Sequence, residues 1–420
     1  MSKNVLILFV LALFLGANDI LKSQVNPKPD SRIKNARATA VYVANEDVYV
    51  VGYQQNDNNE KVEDLWRKSF PQENHYDRGY FYYINNEIVA KLWKNGIEQD
   101  LSDGNRQAFA VSVFVAGNDV YVAGFENTGF PIIEISNNAV LWSCNAKLWK
   151  NGVAQNLGSE KAIHSIAASV YVSGEDVYVA GYEIFKSDLQ GPDSIYGVPR
   201  LWKNGIVQNL SDEKGTANSV FVSENDVYVA GSGSCKCPST GEIYNTATLW
   251  KNGIAQKLND AKFSAAHSVY VSGEDEYVVG FEYIDSSCGR KTPILWKNGI
   301  PHHLNVDKID IMNCDSIEGT ANSISVSEQG DVFVAGFVNC RNNFRSNAVL
   351  WKNGIAQKLN DDGGFLRTEE FLGIEPLNKL FVSGGNLYVA GSKEKVAVYW
   401  KNSDEQLLTE KPKDVDMHIR

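Results

Sequence analysis

Most of the chain is written in short stretches where β-branched and aromatic residues alternate with small or polar ones. Residues 169–182 read SVYVSGEDVYVAGY. An alternation of period two fits a half-buried strand, and Val, Tyr and Ile fit a pleated surface. The polar cluster SGED between the two runs predicts a tight turn. A second pattern follows at 201–210, LWKNGIVQNL, in which two apolar stretches flank Asn-Gly. That dipeptide favours the left-handed angles of a type I′ hairpin. One unit is therefore expected to be four antiparallel strands joined in chain order.

The unit recurs. LWKNG begins at 92, 148, 201, 249, 295 and 350, and a worn copy, YWKN, begins at 399. Each is preceded by a copy of the first phrase, beginning near 40, 112, 169, 219, 268, 323 and 379. The tryptophans Trp93, Trp149, Trp202, Trp250, Trp296, Trp351 and Trp400 are 46 to 56 residues apart, a spacing typical of repeat architectures. Seven four-stranded units predict an all-β, seven-bladed β-propeller over residues 24–408, since twisted sheets that close radially leave only short edges. The tryptophans are expected between blades, where no single sheet buries them alone. The last strand, EQLL, is weak, and residues 32–38 are a candidate strand for closing the ring.

The first 23 residues are different: Lys3 precedes an unbroken apolar run from Val5 to Ala17. Its length suits a signal peptide and falls short of the ~20 residues of a spanning helix; a retained anchor is the alternative. Residues 409–420 form a polar tail, and no later stretch is apolar enough to cross a bilayer as a helix. A secreted, periplasmic or cell-surface protein is expected. The net charge of −11 is spread without a basic stripe, so nucleic acid is not an expected partner.

The DVYVAG and LWKNG phrases together resemble the units of secreted bacterial β-propeller proteins, a largely uncharacterised family, over roughly nine-tenths of the chain. The resemblance implies an exported propeller and carries no activity. The GH and WD dipeptides of WD-type propellers and the sialidase box are not present, and paired glycines do not recur from unit to unit as they do in kelch propellers.

Strand alternation puts the SGED-like and KN turns on one face and the connections of unequal length on the other. Function is expected on that loop-rich face, because a rigid scaffold tolerates variation there. The residue before each first strand is expected to line the channel mouth: Thr39, Val111, Ala168, Asn218, His267, Asn322 and Asn378. Polar members of that ring suit a ligand or ordered water. The long blade 1 loop carries Trp66, Tyr80 and Tyr82, suited either to stacking on a sugar or partner or to burial in an added hairpin. Glu126 and Glu183 recur in adjacent blades. They would serve glycoside hydrolysis at a separation of ~5–9.5 Å, or pair across strands with Lys147 and Arg200. The turn aspartates, one to a blade, suit turn formation better than metal binding.

Cys144, Cys235, Cys237, Cys288, Cys314 and Cys340 all fall on the loop-rich side. An even count in an exported chain suggests bridges, Cys288 with Cys314 or Cys340 being the neighbouring choices. No phosphate loop, nucleophile elbow or zinc motif is found, and no cofactor or metal is expected. The sequence thus suggests a non-enzymatic propeller that binds a glycan or a protein; a hydrolase or lyase, or an assembly protein, are the alternatives.

Overall fold

The computed structural model describes residues 34–56, 87–135, 139–187, 195–236, 243–259, 263–284, 290–306, 317–340, 343–359, 379–393, 396–402 and 404–409. The apolar leader, the polar tail beyond 409, Trp66, Tyr80, Tyr82, Asn378, Cys237, Cys288 and Cys314 lie outside them.

The described residues form a seven-bladed β-propeller. Blade 1 is β1 (Lys34–Ala44), β2 (Asp47–Asn56), β3 (Glu87–Lys94) and β4 (Ile97–Asp100), paired antiparallel in that order. Six further sheets repeat the plan, the last being β25 (Leu380–Ser383), β26 (Asn386–Lys393), β27 (Val396–Lys401) and β28 (Asp404–Leu407). Every sheet is made of four consecutive strands, so no blade is spliced from the two ends of the chain. The ring closes through side chains instead. Tyr388, Ala390, Ala397 and Leu408 of blade 7 pack with Val41, Val43, Val50 and Trp93 of blade 1.

The same packing recurs at each interface. Trp149 of blade 2 sits among Tyr49, Val51, Leu92 and Leu101 of blade 1, and Trp202, Trp250, Trp296, Trp351 and Trp400 take the matching places. All seven indoles are at most 3% exposed. A lone sheet would leave this surface in water, so the apolar burial that stabilises the chain is realised as blades associate.

The turn face explains the repeated phrase. Asn and Gly of each KNG turn both have positive φ, near 50° and 80° in Asn204 and Gly205, as a type I′ turn requires. The Asn204 side chain also accepts from Val177 N at 2.8 Å and donates to Asp176 at 2.7 Å. Lys203 reaches Asp176 at 2.7 Å and lies over the Tyr178 ring at 5.2 Å. Asp, Tyr, Lys and Asn thus staple the two hairpins of a blade together. The aspartates do more than shape a turn: Lys203 and then Asn204 hold the Asp176 carboxyl below the usual carboxylate range.

The glycine of DVYVAG has a different cause. In the first six blades the first strand carries a β-bulge, seen in blade 1 as a register shift between Ala38 and Ala40. The bulge leaves the first-strand carbonyl two residues before the extra one pressed on the second strand. A Cβ on Gly52, Gly124, Gly181, Gly231, Gly280 or Gly336 would lie about 2 Å from that carbonyl oxygen. Only glycine fits opposite the bulge.

Candidate functional site

The bulged residues are Thr39, Val111, Ala168, Asn218, His267 and Asn322; these are six of the seven positions singled out in the sequence. They lie within the first strands rather than before them, because each first strand starts several residues earlier than its SVYV-like run. A bulge re-aims its side chain, and here several are turned toward the next blade. Thr39 Oγ1 donates to Ala110 O at 2.7 Å, Asn218 Nδ2 donates to Ala266 O at 2.8 Å, and His267 Nδ1 lies 3.2 Å from both Ala321 O and Thr320 Oγ1. Thr320 Oγ1 in turn donates to Asn322 Oδ1 at 3.1 Å. His267 and Asn322 are buried, and Thr39 and Asn218 half-buried. The polar ring therefore ties blades together as well as edging the mouth.

One residue further along lies a second set of ties. The first strand is the inner edge of its sheet, so its outward N–H groups need partners. Ser112, Ser169, Ser219, Ser268 and Ser323 supply them, each accepting through Oγ from the main-chain N–H of the next blade at 3.0 to 3.4 Å. Blade 1 has Ala40 at this position and blade 7 has Lys379. Around blade 1 the ties change: Lys379 N donates to Thr39 O at 3.1 Å, and Thr39 reaches blade 2. Relieved of the serine's task, the Lys379 side chain extends to blade 3, where Nζ donates to Ala168 O at 3.3 Å. Burial lowers its ammonium to about 7, because the charged form is poorly solvated there.

Two residues deeper, rings meet edge to edge around the axis. Phe381, Tyr42, Phe114, Tyr171, Phe221 and Tyr270 form an unbroken series with centroids 4.4 to 5.0 Å apart. Ser325 takes the seventh place and bonds to Tyr270. Burial, with the Tyr171 and Tyr270 phenols adding to it, pushes Tyr42 up to about 12. The aromatic series thus forms a floor beyond the serine ties, and the Lys379 side chain reaches across from blade 7 to blade 3.

A second row of rings starts at His267. His267 packs on Phe281 at 5.4 Å, Phe281 on Tyr283 at 5.7 Å, Tyr283 on Phe263 at 6.2 Å and Phe263 on Tyr244 at 5.9 Å. Phe263 is 45% exposed, and Lys291 Nζ stands 4.5 Å over Phe281. The sequence reading passed over these residues. The signal for Lys379 was its place in a serine column; the aromatic row joins positions distant in sequence.

The other sequence candidates are placed as follows. Glu183 is 1% exposed and accepts from Arg200 Nε at 2.8 Å and Ser159 N at 2.6 Å. Glu126 pairs with Lys147 at 2.7 Å. Both carboxylates are the cross-strand partners that their positions allowed. Glu282 lies 2.5 Å from His303 Nε2 and accepts from Asn259 at 3.0 Å. Cys144 carries a thiol in this structure. It is buried with Ile88, Phe109, Val111, Phe125, Ile166 and Tyr182 in an eighth apolar cluster contributed by blades 1 to 3, and that burial raises its pKa. Cys235 and Cys340 stand at the ends of strands, and their side chains are outside the described set. Among the described residues no group of three His, Cys, Asp or Glu is placed to hold a metal ion, and no helix is long and apolar enough to cross a membrane.

No family model matches the chain, and no curated protein matches it. Among solved structures it is similar to the β-propeller domain of the Trilobed protease from Pyrococcus furiosus, at 8% identity and TM-score 0.44, covering 91% of this chain and 98% of that one. It is also similar to Pyrococcus horikoshii acylaminoacyl peptidase, at 13% identity and TM-score 0.47, over 89% of this chain and 52% of the peptidase. A protein of unknown function from Dyadobacter fermentans aligns at 13% identity and TM-score 0.40, over 74% and 92% of the two chains. The chain is a β-propeller, distantly like propeller domains of diverse families. Likeness at this level concerns the fold and leaves activity open.

Proposed function

We propose that the chain is an exported member of the secreted bacterial propellers built from DVYVAG and LWKNG units, and that it binds a glycan on its loop-rich face without catalysing a reaction. The observation that carries this reading is the row Tyr244, Phe263, Tyr283 and Phe281, which runs from exposed surface to His267 at the channel mouth. Phe263 is 45% exposed, and with the half-buried Tyr244 and Tyr283 it offers apolar ring surface to the C–H faces of pyranose units. A catalytic reading is less well supported, because Glu126 and Glu183 are engaged by Lys147 and Arg200.

The test is a glycan array, followed by titration of the best binder with the wild type, Phe263→Ala and Tyr283→Ala. An aromatic contact contributes about 0.5–1.5 kcal/mol beyond its buried area, so each change is expected to weaken binding several-fold or more. An array without binders, or affinity untouched in both variants, defeats the reading.

A further inference from the structure

The bulge and serine positions of the seven blades together frame the mouth. From blade 1 they read Thr39 and Ala40, Val111 and Ser112, Ala168 and Ser169, Asn218 and Ser219, His267 and Ser268, Asn322 and Ser323, ending at Lys379. They include one lysine and no carboxylate, in a chain whose net charge is −11. The Lys379 ammonium carries three N–H donors, and its hydrogen bond is to a neutral carbonyl, Ala168 O. A cation set across an aromatic floor, with a carbonyl rather than a carboxylate for a partner, is poorly compensated. The blade-to-blade ties do not require it, since Lys379 N and Thr39 make them.

We propose that the loop-side mouth of the channel is an anion subsite, in which the Lys379 ammonium receives a carboxylate of an acidic, uronate-containing glycan lying along the Tyr244 to His267 row. This rests on the glycan reading above and adds the class of sugar. The row supplies stacking and the mouth supplies charge; Lys291, over Phe281, adds a second cation beside the path. A carboxylate at Lys379 offsets the burial that now lowers its ammonium to about 7, because an opposite charge favours the protonated form.

The experiment titrates the full chain with oligogalacturonate, alginate and hyaluronan fragments and with the carboxyl-reduced, neutral form of each, by calorimetry. A charge-assisted hydrogen bond is worth about 1.5–3 kcal/mol, or roughly 10–100-fold, so at least one acidic fragment is expected to bind that much tighter than its reduced form. Lys379→Met is expected to erase the difference and leave the neutral affinity unchanged. Lys379→Arg is expected to retain it, and Phe263→Ala to weaken acidic and neutral forms alike. Equal binding of both forms with Phe263 dependence, or an acidic preference that survives in a folded Lys379→Met, overturns the anion subsite and leaves the glycan reading standing. If none of the fragments binds in either form while the glycan array yields a neutral binder, the subsite is again overturned. An array with no binder at all removes both.

Discussion

Replacing Lys379 with methionine should make the protein more stable at neutral pH. The side chain lies across the channel, and burial lowers its pKa from 10.5 to about 7. At pH 7 that shift corresponds to about 5 kcal/mol of unfavourable charging relative to the unfolded chain, at 1.36 kcal/mol per unit. Lys379 keeps part of its surface exposed, so water relieves some of the penalty, and about 2–3 kcal/mol is the reasonable remainder. Against this stands the bond from Nζ to Ala168 O, worth about 1 kcal/mol. Methionine has a similar length and no charge, so the net gain is about 1–2 kcal/mol.

The sign depends on pH in a defined way. The folded pKa lies below the unfolded one, so between about 7 and 10.5 the unfolded chain holds more of this proton. The wild type therefore gains stability as pH rises through that window, and the penalty is complete below it. The variant lacks the group. Its advantage should be full at pH 7, shrink through pH 9, and turn into a small deficit near pH 10.5, where only the lost hydrogen bond counts. Tyr42, packed in the same ring, is pushed up to about 12, above this window. Urea melts of both proteins, followed by tryptophan fluorescence at several pH values, measure the difference without adding salt. A variant less stable at pH 7, or a difference independent of pH, refutes the reasoning and makes Lys379 a strut that holds the ring. Stability gained where binding is lost is the usual trade-off at a ligand site.

Three other outcomes follow from the scaffold. Gly181→Ala sets a Cβ 1.9 Å from Ile166 O and 2.9 Å from the Trp202 ring; a loss of about 3 kcal/mol or more is expected in denaturant melts, and a loss below 1 would show that the bulge yields. Glu183→Gln leaves the Arg200 guanidinium buried with its charge poorly compensated, so about 3–5 kcal/mol should be lost with glycan affinity unchanged in the folded protein. The staple aspartates Asp47, Asp119, Asp176, Asp226, Asp275 and Asp331 all have lowered pKa values through their lysine and asparagine partners. Their stabilisation is therefore present above the unfolded value of 3.8 and lost as pH falls through the lower folded values; Asp176→Asn should flatten that acid limb, and an unchanged limb would remove the staple from the account.

Identical demands at each interface explain what the chain spells out and what it conceals. Every blade must fill the same wedge, so Trp93 and its six counterparts are repeated and the ring could be inferred from them. The first hairpins of blades 1 to 6 carry the same bulge and the second hairpins the same left-handed turn, so Gly181 and Asn204 recur for steric reasons that sit close by in sequence. The mouth residues were legible as positions, yet their hydrogen bonds were not, because Thr39 and Ala110, or Asn218 and Ala266, meet only across blades. The aromatic row was harder to see: Phe263 stands just before the first strand of its blade, Phe281 and Tyr283 lie on the second strand of that blade, and Tyr244 comes from the blade before. Lys379 is the instructive case. Within its own strand, KLFV is an unremarkable edge, and only the serine column of the other blades shows that a lysine has replaced an interblade tie. In a ring of equivalent sheets, a residue that repeats answers to the scaffold, which asks the same of every blade. One that departs from its column at an inward-facing position, while the interface is tied by other means, answers to something else. By that argument the departure at Lys379, whose Nζ reaches Ala168 O across the ring, is the position at which the ligand proposal is tested most directly.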